Sequence, residues 1–345
     1  MGDEFRKAGW DVLFVGSRFG MESKLIPENY RLLLTSQIPF LGKGIWAMPR
    51  FFILLFVSFI ESLLILLRER PNRVVGTGGY GSFSLVFIAA IVGIPTFITE
   101  VDTVPGLATK VLSQFVHEIY LGSPISKRWL PRDKNVYISG IPVRFSIMGK
   151  EKDRAFEKFD LKPNPTVLVM GGSRGASSIN CAFCEALEYF PSHLQFILQT
   201  GEKDFEDISM LVKRKYPNRV RVFKFIEDIG DAYACADLVV SRAGALAIAE
   251  IEATGKPSIL VPYPYAARNH QLLNAKVIES SGAAKLILDN ELNGKVLAKE
   301  VLRIIENDEL RRKMSEAAKN LSCLGASNFI VERISRGMRD KNCIK

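Results

Sequence analysis

Three times along this chain a short apolar strand-like run ends in a small-residue turn, and a helix-period segment follows at once. Val74–Gly76 leads into Gly76-Thr77-Gly78-Gly79-Tyr80-Gly81-Ser82. Thr166–Met170 leads into Gly171-Gly172-Ser173-Arg174-Gly175-Ala176, and Asp237–Ser241 into Arg242-Ala243-Gly244-Ala245. Strand, tight turn and helix make half of a βαβ unit, and repeated units build parallel sheets covered by helices. The same rhythm predicts strands at Thr96–Thr99, Glu118–Leu121, Val136–Ser139, Gln195–Gln199, Arg219–Lys224, Ser258–Val261 and Lys285–Leu288. Helices are predicted at Ser82–Val92, Ser177–Tyr189, Ala245–Thr254 and Arg268–Ser280. The fold class is therefore α/β, with two Rossmann-like doubly wound domains and a cleft between them.

A charged, proline-punctuated stretch between Arg144 and Thr166 separates the two halves. The division predicted is 1–145 for a first domain, 146–325 for a second, and 326–345 for a terminal helix and tail. The first residues read as the last turns of a helix, stopped at Gly9 and followed by a strand at Trp10–Val15. An α/β domain ordinarily opens on a strand. Something is therefore expected to be missing upstream of the chain's first residues.

Phe51–Leu67 (FFILLFVSFIESLLILL) demands a separate reading. Seventeen residues lie at the short edge of a membrane span, and Glu61 sits inside them. The expectation is a helix packed on the sheet with an apolar face at the membrane surface, rimmed by Trp46, Arg50, Arg68, Arg70 and Arg73. A fully buried core helix is the plain alternative.

The net charge of +9 suits an anionic partner. No aromatic-interleaved basic patch or nucleic-acid motif accompanies it, so nucleic acid is not the expected partner. Five cysteines and three histidines show no metal-ligand spacing. Cys181 and Cys184 form a CxxC inside a helical run and read as reduced thiols. No metal or cofactor is expected.

Ligands of open parallel sheets bind beyond the carboxyl ends of the strands. The turn at Gly171–Ala176 offers backbone N–H groups and the Ser173 hydroxyl to a phosphate. The turn at Arg242–Gly244 does the same from the helix starting at Ala245. On that helix Glu250 is either a ribose-binding carboxylate or a solvated charge. Pro262-Tyr263-Pro264-Tyr265 followed by Arg268-Asn269-His270-Gln271 gathers groups suited to sugar hydroxyls, or simply starts a helix. Thr99-Glu100-Val101-Asp102 carries two acids past a strand end, and Gly140-Ile141-Pro142-Val143-Arg144 ends the first domain on a cation.

Together with GSRFGMESKLIP (16–27), TEVDTVPGLATK, FIEDIGDAYACADLVVSRAGALAIAE, PSILVPYPYAARNHQLLNA and SGAAKLI, these segments resemble one family over nearly the whole chain. It is the peptidoglycan glycosyltransferase family that transfers N-acetylglucosamine from UDP-N-acetylglucosamine to undecaprenyl-pyrophosphoryl-muramoyl-pentapeptide (lipid I), giving lipid II. The resemblance implies a GT-B fold, an inverting transfer without a metal-binding DxD, and a peripheral place on the cytoplasmic face of the membrane, against an anionic surface. It implies the Ile226 backbone on the uracil, Ser173 near the diphosphate, and Ala245, Leu246, Ala247, Ile248 and Ala249 under the phosphates. Glu250 would take the ribose and Gln271 the sugar, with Arg144 and Asp102 facing the donor.

Two departures stand out. The family usually reads His-Glu-Gln-Asn where this chain has Thr99-Glu100-Val101-Asp102. The family also begins with a strand, a glycine loop and a helix, and this chain starts near the end of that helix. The absent loop carries the family's candidate base, so Glu100 becomes the expected base and Asp102 the second choice. Two other readings stay open: a UDP-sugar-binding module without catalysis, and another UDP-sugar enzyme of the same fold, such as a lipid glycosyltransferase or an epimerase.

Overall fold

The computed structural model describes residues 1–20, 26–38, 48–131, 135–172 and 175–339. They divide into two compact units, Met1–Pro142 with Gly325–Lys345, and Val143–Leu324.

Unit 1 begins with α1 (Gly2–Lys7), which stops before Gly9 at φ 85°. It continues through β1 (Leu13–Ser17), β2 (Arg31–Thr35), α2 (Met48–Glu69), β3 (Val74–Gly76), α3 (Phe83–Ile91), β4 (Thr96–Glu100), α4 (Leu107–Leu112), β5 (Glu118–Leu121) and β6 (Asn135–Ile138). The first strand lies slightly later than the sequence suggests. β2 was not anticipated, because its leucine-rich RLLLT lacks β-branched residues and leucine favours helix.

All strand pairs are parallel, but they form two separate sheets, β1-β2 and β3-β4-β5-β6. A cavity of about 700 Å³ is lined by Leu13, Phe14 and Val15 of β1 and by Val74 and Val75 of β3. Residues of α1, α2 and the helix that ends the described chain, Phe5, Leu66 and Ile334 among them, complete its lining.

Unit 2 runs through α5 (Lys152–Lys158), β7 (Thr166–Met170), α6 (Ser177–Ala186), β8 (Gln195–Gln199), α7 (Phe205–Lys215), β9 (Val220–Phe223), α8 (Ile229–Cys235) and β10 (Leu238–Ser241). It continues with α9 (Ala245–Thr254), β11 (Ser258–Leu260), α10 (His270–Ser280), β12 (Ala284–Leu286), α11 (Gly294–Ile305) and α12 (Asp308–Leu321). Its sheet has the parallel order β12-β11-β10-β7-β8-β9. β7 and β8 are buried at every position, as strands covered on both faces must be. Val167 and Val169 enter one core with Phe183 and Phe196, while Leu168 and Met170 enter the other with Tyr233 and Val239.

The last helix, α13 (Ala326–Arg339), belongs to unit 1. Ile330 and Ile334 join Phe97 and Tyr120 there, and Arg333 pairs with Glu118 at 3.2 Å and stacks over Tyr137.

Helix α2 settles the reading of the apolar segment against a buried core helix. Its buried residues are Ser58, Ser62 and Leu66. Phe52, Ile53, Phe56, Ile60, Leu64 and Leu67 are exposed. Glu61 accepts the Ser36 N–H at 2.5 Å and pairs with Arg18 at 3.0 Å. The helix therefore turns its small polar face to unit 1 and its large apolar face outward. It is long and apolar enough to cross a membrane. Arg50 and Arg68 are exposed, whereas Arg73 is directed over the Phe97 ring rather than towards a rim; Trp46 lies outside the described residues.

Candidate active site

In unit 2 the chain moves from β7 to β8 and β9 on one side, then returns to β10 beside β7. The ends of β7 and β10 therefore flank a topological switch point, where parallel sheets hold ligands.

The turn after β7 is built for close approach. A Cβ on Gly171 would lie 2.3 Å from the Ala176 nitrogen. Gly175 sits at φ 74°, and a Cβ there would lie 2.1 Å from the Thr200 carbonyl oxygen. Only glycine fits such backbone. Ser173 lies outside the described residues.

Gln199 closes the same region, a role the sequence reading missed. Its Nε2 donates to the Gly172 carbonyl at 3.1 Å, and its Oε1 accepts the Ile226 N–H at 2.9 Å. The turns after β7 and β9 are thus tied by one amide. Its signal was a polar residue ending an otherwise apolar strand.

After β10, Gly244 starts α9, and the Ile248 N–H already bonds to the Gly244 carbonyl at 3.0 Å. Ala245, Leu246 and Ala247 therefore present the helix's unclaimed N–H groups, while Ile248 and Ala249 do not. Leu246 is exposed; Ala245, Ile248 and Ala249 are buried.

Glu250 lies one turn further on and is partly buried. Its Oε2 accepts the Tyr233 hydroxyl at 3.3 Å. Burial raises its pKa above the usual carboxylate range, and Arg144 lies near enough to oppose the rise. The structure thus brings Arg144 and Glu250 together and adds Tyr233, a wholly buried residue that the sequence reading passed over.

Gln271 is the second residue of α10, and its Oε1 accepts the Tyr263 N–H at 2.9 Å. The helix begins at His270 rather than Arg268 because Arg268 and Asn269 hold φ 56° and 54°. Two successive non-glycine residues in left-handed backbone are strained, and such strain concentrates at functional loops.

In unit 1, Glu100 ends β4 and is buried. Its Oε1 accepts the Asp102 N–H at 3.1 Å and its Oε2 the Gly106 N–H at 3.2 Å. Burial raises its pKa. Asp102 follows in the loop, and its carbonyl accepts the Ser126 hydroxyl at 3.0 Å.

A glycine turn, a helix N-terminus and a partly buried carboxylate meet at this switch point, the place where open parallel sheets hold ligands. The glycosyltransferase family 28 C-terminal domain matches residues 166–328, and the family's N-terminal domain matches residues 1–121. The chain belongs to glycosyltransferase family 28, and its two α/β units are those of the GT-B fold.

The UDP-N-acetylglucosamine--N-acetylmuramyl-(pentapeptide) pyrophosphoryl-undecaprenol N-acetylglucosamine transferase of Thermodesulfovibrio yellowstonii is 40% identical, covering 96% of this chain and 91% of that protein. The protein of the same name from Chlorobium phaeobacteroides is also 40% identical, over 94% and 90%. The crystal structure of Acinetobacter baumannii MurG superposes with a TM-score of 0.75 at 25% identity, covering 97% of this chain and 94% of that one.

Proposed function

We propose that this chain transfers N-acetylglucosamine from UDP-N-acetylglucosamine to the muramoyl-pentapeptide of lipid I, making lipid II for peptidoglycan. The observation that carries the reading is the 40% identity, across both units, to transferases of that name. The glycine turn and carboxylate of unit 2 agree with it.

In this reading the Ile226 carbonyl accepts the uracil N3–H, and Glu250 accepts the ribose hydroxyls. The N–H groups of Ala245–Ala247 and the Ser173 hydroxyl meet the diphosphate. Gln271, with its oxygen occupied, donates to the sugar through Nε2. Arg144 and Asp102 complete the donor contacts. The acceptor hydroxyl attacks the anomeric carbon, the bond to the UDP oxygen breaks, and the configuration inverts. Charge gathering on the departing diphosphate is met by the helix N-terminus. The hydroxyl proton passes to Glu100, which burial makes a stronger base, or to Asp102.

The exposed apolar face of α2 supports a peripheral place on the membrane, where the acceptor's lipid lies. Flotation with anionic vesicles, lost in Phe56→Glu/Leu64→Glu, tests this; equal flotation of the two proteins would remove it. Transfer of labelled sugar from UDP-N-acetylglucosamine to a lipid I analogue tests the activity. UDP binding without transfer would favour a binding module, and epimerised UDP-sugar would favour an epimerase.

A further inference from the structure

Arg242 has no part in the scheme above, yet its side chain is only 12% exposed and richly bonded. Nη1 donates to the Val261 carbonyl at 3.2 Å, the Pro262 carbonyl at 3.3 Å and Asp289 Oδ1 at 2.5 Å. Nη2 donates to the Ser178 hydroxyl at 2.8 Å, and that hydroxyl donates to the same Asp289 oxygen at 2.7 Å. The guanidinium also lies 5.5 Å from the centre of the Tyr263 ring.

These partners come from four neighbouring places along the sheet. Ser178 opens α6 after β7, Arg242 follows β10, Val261 and Pro262 follow β11, and Asp289 follows β12. In the order β12-β11-β10-β7 these are adjacent strand ends. A planar fork with five donors can hold carbonyls, a hydroxyl and a carboxylate at once; a lysine ammonium cannot reproduce that geometry. Withdrawing such a pair from water costs nearly what the attraction returns, so its use is geometric more than stabilising.

We infer that Arg242, locked by Asp289 and Ser178, is a positioning residue for the diphosphate–sugar end of the donor. It sets the spacing between the glycine turn before α6, the N-terminus of α9, and the Tyr263 turn to which Gln271 of α10 is bonded. The inference rests on the UDP-sugar reading of unit 2. The uridine end is assigned to Ile226 and Glu250, which the clamp does not touch. The clamp therefore acts selectively on one end of the ligand.

The test compares UMP and UDP-N-acetylglucosamine binding by calorimetry in the full chain and in Arg242→Lys, Asp289→Asn and Ser178→Ala. Arg242→Lys and Asp289→Asn are expected to weaken UDP-N-acetylglucosamine roughly tenfold or more and UMP less than about twofold. Ser178→Ala removes one arm, folds with the least disturbance, and weakens only the sugar nucleotide, by roughly threefold. Parallel loss of both ligands would reduce Arg242 to a structural role and overturn the inference. So would unchanged affinity for both in all three variants. A parent chain that binds UMP but not UDP-N-acetylglucosamine would overturn the donor reading itself, and the clamp with it.

Discussion

Replacing Glu250 by alanine removes the carboxylate assigned to the ribose while sparing the glycine turn and the start of α9. Glu250 is already desolvated and already holds the Tyr233 hydroxyl, so its oxygens meet a ligand without further rearrangement. A hydrogen bond to a charged group contributes about 1.5–3 kcal/mol, and the ribose diol offers two that share one carboxylate. A net loss of about 2–3 kcal/mol is expected, which raises the Kd for UDP roughly 30–150-fold. Glu250→Gln keeps one acceptor and should cost roughly tenfold. The ribose stays far from the reacting bond, so KM should rise while kcat holds.

The pH dependence gives an independent check. Burial raises the Glu250 pKa, so UDP affinity should fall as pH drops through that raised value, and Glu250→Gln should remove this dependence. Calorimetric titration of UDP at several pH values measures both. A Kd for Glu250→Ala within threefold of the parent would refute the ribose assignment.

Glu100→Gln should lower turnover by roughly 10²–10⁴, and near-normal turnover would remove Glu100 as the base. Burial raises its pKa, so the acidic limb of kcat/KM should sit above the ordinary carboxylate range in the parent. Gly175→Ala combines left-handed backbone with a Cβ 2.1 Å from the Thr200 carbonyl oxygen. It should destabilise unit 2 by about 3 kcal/mol, seen in thermal unfolding as a fall of roughly 6–12 °C. Glu252 is pushed by burial from 4.5 to about 7. The folded chain then binds more protons than the unfolded chain between those values, so stability should fall as pH rises through them, by about 3 kcal/mol at most. Glu252→Gln should flatten that slope in denaturant melts across pH.

The strand pattern of unit 2 was legible because its strands are buried on both faces. Thr166–Met170 and Gln195–Gln199 announce themselves as apolar runs at the predicted positions. The glycine turns were legible because few residues tolerate such backbone. β2 was not, since its leucines carry no strand preference of their own and pairing with β1 decides them. The start of α10 was misplaced because nothing local forbids Arg268 and Asn269 from being helical.

The sequence by itself determined the α/β class, the glycine turns at the strand ends, and the acids worth watching. These follow from local rules of periodicity, backbone sterics and charge. Only the tertiary structure decided which polar groups were already spent. Gln199 occupies the Ile226 N–H, Tyr233 holds Glu250, and Arg242 joins Asp289. It also turned the large side chains of α2 outward and its serines inward, against the rule that apolar residues seek the core. Such partners lie 17–47 residues apart in sequence, and that pairing exists only once the sheet has set its strands side by side.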